Sequence, residues 1–304
     1  EMISPIGLPA VSDNLDECLE VLVKGFDRVI AAIPVPPVAI SFAFPGPADY
    51  ENGIIGDLPN FPSFRGGVAL GPFLKHKYGI PVFIENDGNL FAYGEALSGA
   101  LPMINRELSL AGCSREYKNL IGITLGTGFG AGVVINKVLL TGDNGCGGDI
   151  WLMRNKKYPD MLAEESVSIR AVRRVYSDLS GQSSASLSPK DIYDIAEGIK
   201  EGDSHAAIAS FNELGIMAGA AIASVLNVVD GLVVIGGGVA GASKYILPAL
   251  ITELRAQLTT FSGNKFPCVS MQVYNGEDES ERARFLSLSD SQVCLLYTSD
   301  AADE

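Results

Sequence analysis

The sequence predicts an α/β protein of two lobes with a cleft between them, and three observations carry that expectation. Short, nearly continuous apolar runs of strand length alternate with longer segments of helical periodicity along the chain. A composition break near residue 117 separates a first lobe, 1–117, from a second, 118–293. Glycine supplies 34 of 304 residues, about 11% against a usual share of roughly 7%, and both halves repeat a strand followed by a glycine-rich loop, where a backbone turns tightly or approaches a ligand.

Leu15 to Ala32 places Leu19, Leu22, Val23, Phe26, Val29 and Ile30 at the spacing of an amphipathic helix, which Pro34 ends. Val38 to Phe44 reads as a buried strand closed by Pro45-Gly46-Pro47, with a Gly- and Pro-rich loop running to about Gly66. Helical residues from Leu70 to Tyr78 lead to the short strand Ile80 to Ile84, then to Glu85-Asn-Asp-Gly-Asn89 and a helix over Leu90 to Leu97. The polar stretch Ser114 to Asn119 reads as a hinge. Strands Leu120 to Leu125 and Ala131 to Ile135 flank the loop 126–130. Helices are predicted at Glu165 to Leu179, Asp191 to Lys200, His205 to Val228 and Tyr245 to Leu258, and strands at Leu232 to Ile235 and Val269 to Tyr274.

Thirty-six acidic against 22 basic residues leave a formal charge of −14, which repels nucleic acid and anionic lipid. The longest uncharged apolar stretch, Leu214 to Val229, is shorter than the roughly 20 residues that cross a bilayer. No secretory signal opens the chain. Five scattered cysteines and two histidines argue against a disulfide framework or a zinc site and for a reducing, cytoplasmic setting. Cys294 to Glu304 looks like the in-frame translation of a sequencing adapter and is set outside the expected fold, so the chain reads as a fragment open at both ends.

Three segments carry candidate chemistry. Asn86-Asp87 follows a buried strand, where side chains project into the crevice of an open α/β sheet. An aspartate there can take a proton from a hydroxyl while the asparagine amide donates to a neighbouring oxygen; a turn or helix cap is the competing reading. Gly126-Thr127-Gly128 can bind phosphate oxygens through exposed N–H groups and the Thr127 hydroxyl, or can be a hairpin turn with glycines at positive φ. Gly236-Gly237-Gly238-Val-Ala-Gly241 fits a dinucleotide fingerprint, yet the acidic residue that reading needs about 20 residues later falls within a predicted helix rather than after a strand. A turn beside a nucleotide's base or ribose, or a purely structural turn, remains.

Together, Phe44-Pro-Gly-Pro-Ala-Asp49, Leu58-Pro-Asn60, Glu85-Asn-Asp-Gly-Asn89, Leu125-Gly-Thr-Gly-Phe-Gly130 and Ile235-Gly-Gly-Gly238 resemble, in order and separation, the ROK family of bacterial sugar kinases and repressors. The resemblance implies a hexokinase/actin-like fold of two RNase H-like lobes closing over a sugar and ATP with Mg2+. It makes Asp87 the general base, Asn86 and Asn60 sugar ligands, the 126–128 loop the phosphate holder, and Gly236, Gly237 and Gly238 the neighbours of adenosine. A homodimer is compatible with it.

The chain departs from the family at three places. The early Asp-x-Gly-Gly-Thr strand that holds phosphates is absent, so the fragment is expected to be inactive. Where the family reads Gly-Glu-x-Gly-His, this sequence reads Gly148-Asp149-Ile150-Trp151-Leu152, leaving Asp149 as the sugar carboxylate and an apolar residue in place of the histidine. The family's zinc-binding cysteines are missing too, since Trp151 to Glu164 holds no Cys or His. A further sugar carboxylate is expected at Glu164, with Glu165 as its neighbour in competition. The family admits two other readings, a sugar-responsive repressor body and a catalytically silent sugar-binding homologue.

Overall fold

A computed structural model describes residues 3–9, 11–46, 48–56, 62–287 and 293–299, and the chain divides after Leu90 into two units. In the first, Asn14 accepts from the N–H of Glu17 and caps helix α1 (Leu15–Ala32). Strands β1 (Ile40–Ala43), β2 (Ala48–Asp49) and β3 (Ile54–Ile55), helix α2 (Leu70–Tyr78) and strand β4 (Val82–Glu85) follow. β1 and β4 pair in parallel, and β2 and β3 pair antiparallel. Phe44, Ile55, Phe64, Leu70, Leu74 and Ile84 form the core, against which α1 lays Leu19, Leu22, Val23 and Phe26. Each such side chain contributes about 1.5–3 kcal/mol when fully buried. The parallel pair aims the end of β4 directly into helix α3 (Asp87–Leu97), the element on which the chain passes into the second unit.

The second unit begins with the rest of α3 and with helix α4 (Ala100–Leu110), and continues through strands β5 (Leu120–Leu125), β6 (Phe129–Ile135) and β7 (Val138–Leu139). Helices α5 (Ile169–Ser180), α6 (Pro189–Ala196) and α7 (Ser204–Val229), strand β8 (Leu232–Gly236) and helix α8 (Ser243–Leu254) come next. The hairpin β9 (Gln257–Thr259) and β10 (Lys265–Pro267), strand β11 (Gln272–Asn275), helix α9 (Glu279–Ser287) and strand β12 (Val293–Thr298) complete it. A six-stranded sheet runs β11-β12-β8-β5-β6-β7; its first four strands are parallel and the last two turn back antiparallel. β8 is buried along its whole length, as a central parallel strand covered on both faces requires. On one face Ile121, Ile123, Val233 and Ile235 pack with Phe211, Leu214, Ala218 and Ile222 of α7 and Ile246 and Leu250 of α8. On the other, Leu120, Val134, Leu232 and Val234 meet Ala92 and Ala96 of α3 and Leu101, Ile104 and Leu108 of α4.

That second contact set explains why the division falls at Leu90 and not near 117: α4, unassigned by the sequence pattern, packs on the second unit's sheet. Ser114 to Asn119 is no hinge either. Asn105 takes the Tyr117 N–H and donates to the Tyr117 carbonyl, each at 2.8 Å, and the Tyr117 hydroxyl donates to the Val293 carbonyl at 2.8 Å. Of the segment from Cys294 to Glu304 that the sequence sets outside the fold, residues 294–299 are described, and they stand at the sheet. Val293–Thr298 pairs in parallel with both β11 and β8, and Cys294, Leu295 and Leu296 are buried, because the run Val-Cys-Leu-Leu-Tyr-Thr suits a central strand. α7 extends beyond the predicted apolar stretch to 26 residues, enough in length and composition to cross a bilayer, yet half of its most apolar stretch is buried in this core.

Candidate functional site

At the exit of β4 the backbone turns into α3 through Glu85 and Asn86. The Asn86 Oδ1 accepts from the N–H groups of Gly88 (2.9 Å) and Asn89 (3.3 Å), which makes Asn86 the cap of α3. Glu85 Oε1 accepts from Asn86 N–H at 2.8 Å and from the Asn89 amide at 3.1 Å, bracing the turn from behind. Buried Asn89 leaves its Oδ1 without a partner among the described residues. Asp87, the first residue of α3, is exposed; its Oδ1 shares the Gly88 N–H at 2.9 Å, and its Oδ2 makes no hydrogen bond among the described residues. One oxygen is thus anchored and the other open, so the turn reading and the chemical reading coexist in adjacent residues. Tyr50 closes this corner, donating to the Phe44 carbonyl at 3.0 Å. Burial pushes its hydroxyl up to about 12, against a hydrogen bond to Asn86 and with the charges of Asp87 and Glu85 adding to the rise. Asn60 lies outside the described residues.

In the second unit the two glycine segments leave the same end of neighbouring parallel strands, since Thr124 of β5 pairs with Gly236 of β8. That is where open α/β sheets bind ligands. Gly237 has φ +94°, and a Cβ on it would stand 2.5 Å from the Leu125 carbonyl oxygen. Only glycine lets the second turn lie on β5. Gly236 and Gly237 are buried there, whereas Gly238 is exposed and, with Val239, Gly241 and Ala242, lines a cavity of about 210 Å3 walled by Pro189, Lys190, Tyr193 and Phe211. Of the three glycines expected beside a nucleotide, one faces open space and two set the turn.

The loop between β5 and β6 is a hairpin turn, but Gly126 and Gly128 are absent from the residues with positive φ. A Cβ on Gly128 would stand 2.6 Å from Glu164 Oε2, the movable end of that side chain. The Gly126 carbonyl accepts from Ile169 N–H at 3.0 Å, and Phe129 N–H donates to Glu164 Oε2 at 3.0 Å. Between them Thr127 is exposed, and the N–H groups of Thr127 and Gly128 have no partner among the described residues. Two open amides and a hydroxyl suit an anion.

Glu164 therefore differs from a free carboxylate waiting for ligand: its Oε1 also takes Arg170 Nη2 at 2.8 Å. Arg170 bonds Glu165 as well, and the two carboxylates, Glu165 foremost, hold the guanidinium above its ordinary value. Asp149 is exposed, and its Oδ1 accepts from the Trp151 indole at 3.1 Å. Sequence reasoning passed over Asn155, which binds the stretch between these carboxylates into one piece. Its amide donates to Leu162 O (3.1 Å) and Ser166 Oγ (2.8 Å), and its Oδ1 accepts from Lys157 and Tyr158 N–H at 3.0 Å each. A buried amide with every group engaged is a strong local brace. Its only signal in the sequence is an asparagine between the basic residues Arg154 and Lys156, which does not distinguish it from a loop asparagine.

The family model for the ROK family matches residues 9–280. The chain belongs to the ROK family. Its fold is accordingly the hexokinase/actin-like fold of that family. The crystal structure of a glucokinase from Parabacteroides distasonis is 55% identical, covers 97% of this chain and 85% of its own, and superposes with a TM-score of 0.85. A glucokinase of Thermotoga maritima is 29% identical over 227 residues, 69% of this chain and 67% of its own. The xylose repressor of Bacillus subtilis is 24% identical over 262 residues, 81% of this chain, and the chain spans 61% of that repressor. Both branches of the ROK family, kinase and repressor, thus share this body.

Proposed function

We propose that this ROK chain belongs to a sugar kinase that transfers the terminal phosphoryl group of ATP to a hydroxyl of a hexose or hexose-like sugar in the cytoplasm. The observation that carries the reading is the Asp87 carboxylate at the exit of β4, one oxygen fixed by Gly88 N–H and the other unengaged. That is the geometry of a general base, held in place yet able to accept the hydroxyl proton. The glucokinase at 55% identity supports the sugar as acceptor. In such a transfer the protein mainly positions donor and acceptor and offsets charge.

Asn86 would donate to a sugar oxygen through the amide hydrogen not directed at Tyr50, its own oxygen being used by the cap. Asp149 and Glu164 are assigned to further sugar hydroxyls, and Asn60 to another. Thr127 and Gly128 would receive the nucleotide's phosphates, and Gly238 with its cavity the adenosine. Mg2+ is given no ligand in this chain; it would arrive on the phosphates, whose charge it offsets.

The test is Asp87→Asn in the full-length protein, assayed for sugar-dependent ADP release over a panel of hexoses and acylamino sugars. Turnover should fall by roughly 100-fold or more while sugar affinity changes little. Near-normal kcat would remove Asp87 from the mechanism. The xylose repressor's match over 81% of the chain favours one second reading, a sugar-responsive repressor body. Sugar binding without any ADP release from the unaltered protein would select it.

A further inference from the structure

We propose that Glu164 is a positioning residue for the glycine loop 126–128 and that, with Arg170, it sets the affinity of that loop for nucleotide phosphates. The inference rests on the reading of this loop as the phosphate holder. The loop is gripped at both ends from one segment of chain. Ile169 N–H holds the Gly126 carbonyl and the Glu164 carboxylate holds Phe129 N–H, each at 3.0 Å. The two amides between those clamps, at Thr127 and Gly128, are left open, so the clamps fix the direction in which both point.

The residue at 128 matches this role. Without a Cβ it admits the carboxylate, which a side chain would meet at 2.6 Å. A negative charge so close behind two anion-binding amides would by itself repel phosphate. Arg170 answers that charge, reaching Glu164 Oε1 at 2.8 Å while staying half-exposed at the surface. Asn155 completes the support by closing the turn on which Glu164 stands, through Leu162 and Ser166 on either side of it. A carboxylate assigned only to a sugar hydroxyl needs neither the Phe129 contact nor the arginine.

The two roles separate when nucleotide binding is measured by calorimetry with a non-hydrolysable ATP analogue and no sugar present. Glu164→Ala should weaken binding about tenfold, the size of one charge-assisted hydrogen bond. Glu164→Gln keeps an acceptor for Phe129 N–H and should recover binding to within about threefold of the unaltered protein. Arg170→Ala, a change at a half-exposed side chain that leaves the fold intact, should weaken binding several-fold and make it more salt-dependent. Nucleotide affinity within twofold of normal in Glu164→Ala would overturn the role, and so would equal losses in the Ala and Gln variants. Gly128→Val tests the underlying reading: if it binds nucleotide normally, the loop does not hold phosphate. If it binds poorly while Glu164→Ala binds normally, only the positioning role falls.

Discussion

Asn86 and Asp87 divide between them two tasks that the sequence alone could only offer as alternatives. The cap uses the Asn86 oxygen and leaves the amide, one hydrogen of which serves Tyr50 and the other a ligand; the anchor uses one Asp87 oxygen and leaves the other. Substitutions can split the same way. Asn86→Asp preserves the capping oxygen, so stability in urea should change by less than about 0.5 kcal/mol, whereas Asn86→Ala should lose about 1 kcal/mol. Both remove the amide donor, and both should raise the sugar KM about tenfold. If Asn86→Asp keeps a normal KM, the residue is a cap and nothing more. Such a division was legible only in part, because Asn-Asp after a strand announces a turn and an acid but not which atom does which. Glu164 was less legible still: its partner Phe129 is 35 residues away, and its engagement appears only once β5, β6 and α5 are assembled.

Elements with local signals exist where the sequence predicts them, with their ends shifted. The helix expected over Asp191 to Lys200 is α6, Pro189–Ala196, which starts earlier because Ser188 and Asp191 exchange side-chain and backbone hydrogen bonds in a capping box. The end of α5 follows from Gly181 in the left-handed region. α4, which the sequence pattern leaves unassigned, buries its residues at 100, 101, 104 and 108 and carries Pro102 in its first turn, where proline is tolerated. The stretch 149–165 has no regular period and owes its shape to Asn155. One of its hydrogen bonds is buried and three are partly buried, and removing them strands the Ser166 hydroxyl and two backbone N–H groups, while the Leu162 carbonyl keeps the Glu165 N–H. Asn155→Ala should therefore destabilise the protein by about 3 kcal/mol, seen as a lower urea midpoint. Asn155→Asp should lose much of this as well, since a carboxylate can accept from Lys157 and Tyr158 but cannot donate. An alanine variant as stable as the parent would show that this stretch is held by other contacts.

For the molecule as a whole, the second unit stands on one sheet, and the largest departure from expectation lies in that sheet. Between β11 and β8 the pattern requires a parallel strand; without one, the edges of both would be bare. Val293–Thr298 fills the place with Cys294, Leu295 and Leu296 buried, and Leu296 opposite Val233 packs into the same core as α7. If this strand belongs to the cooperative unit, Leu296→Ala opens a cavity in the core and should cost about 2–5 kcal/mol, with one unfolding transition shifted as a whole. Tyr297→Ala, nearer the surface, should cost less. A Leu296→Ala protein that unfolds at the parent's midpoint would mean that the segment after residue 293 contributes nothing to the folded state, and the sequence-based expectation that excluded it would stand.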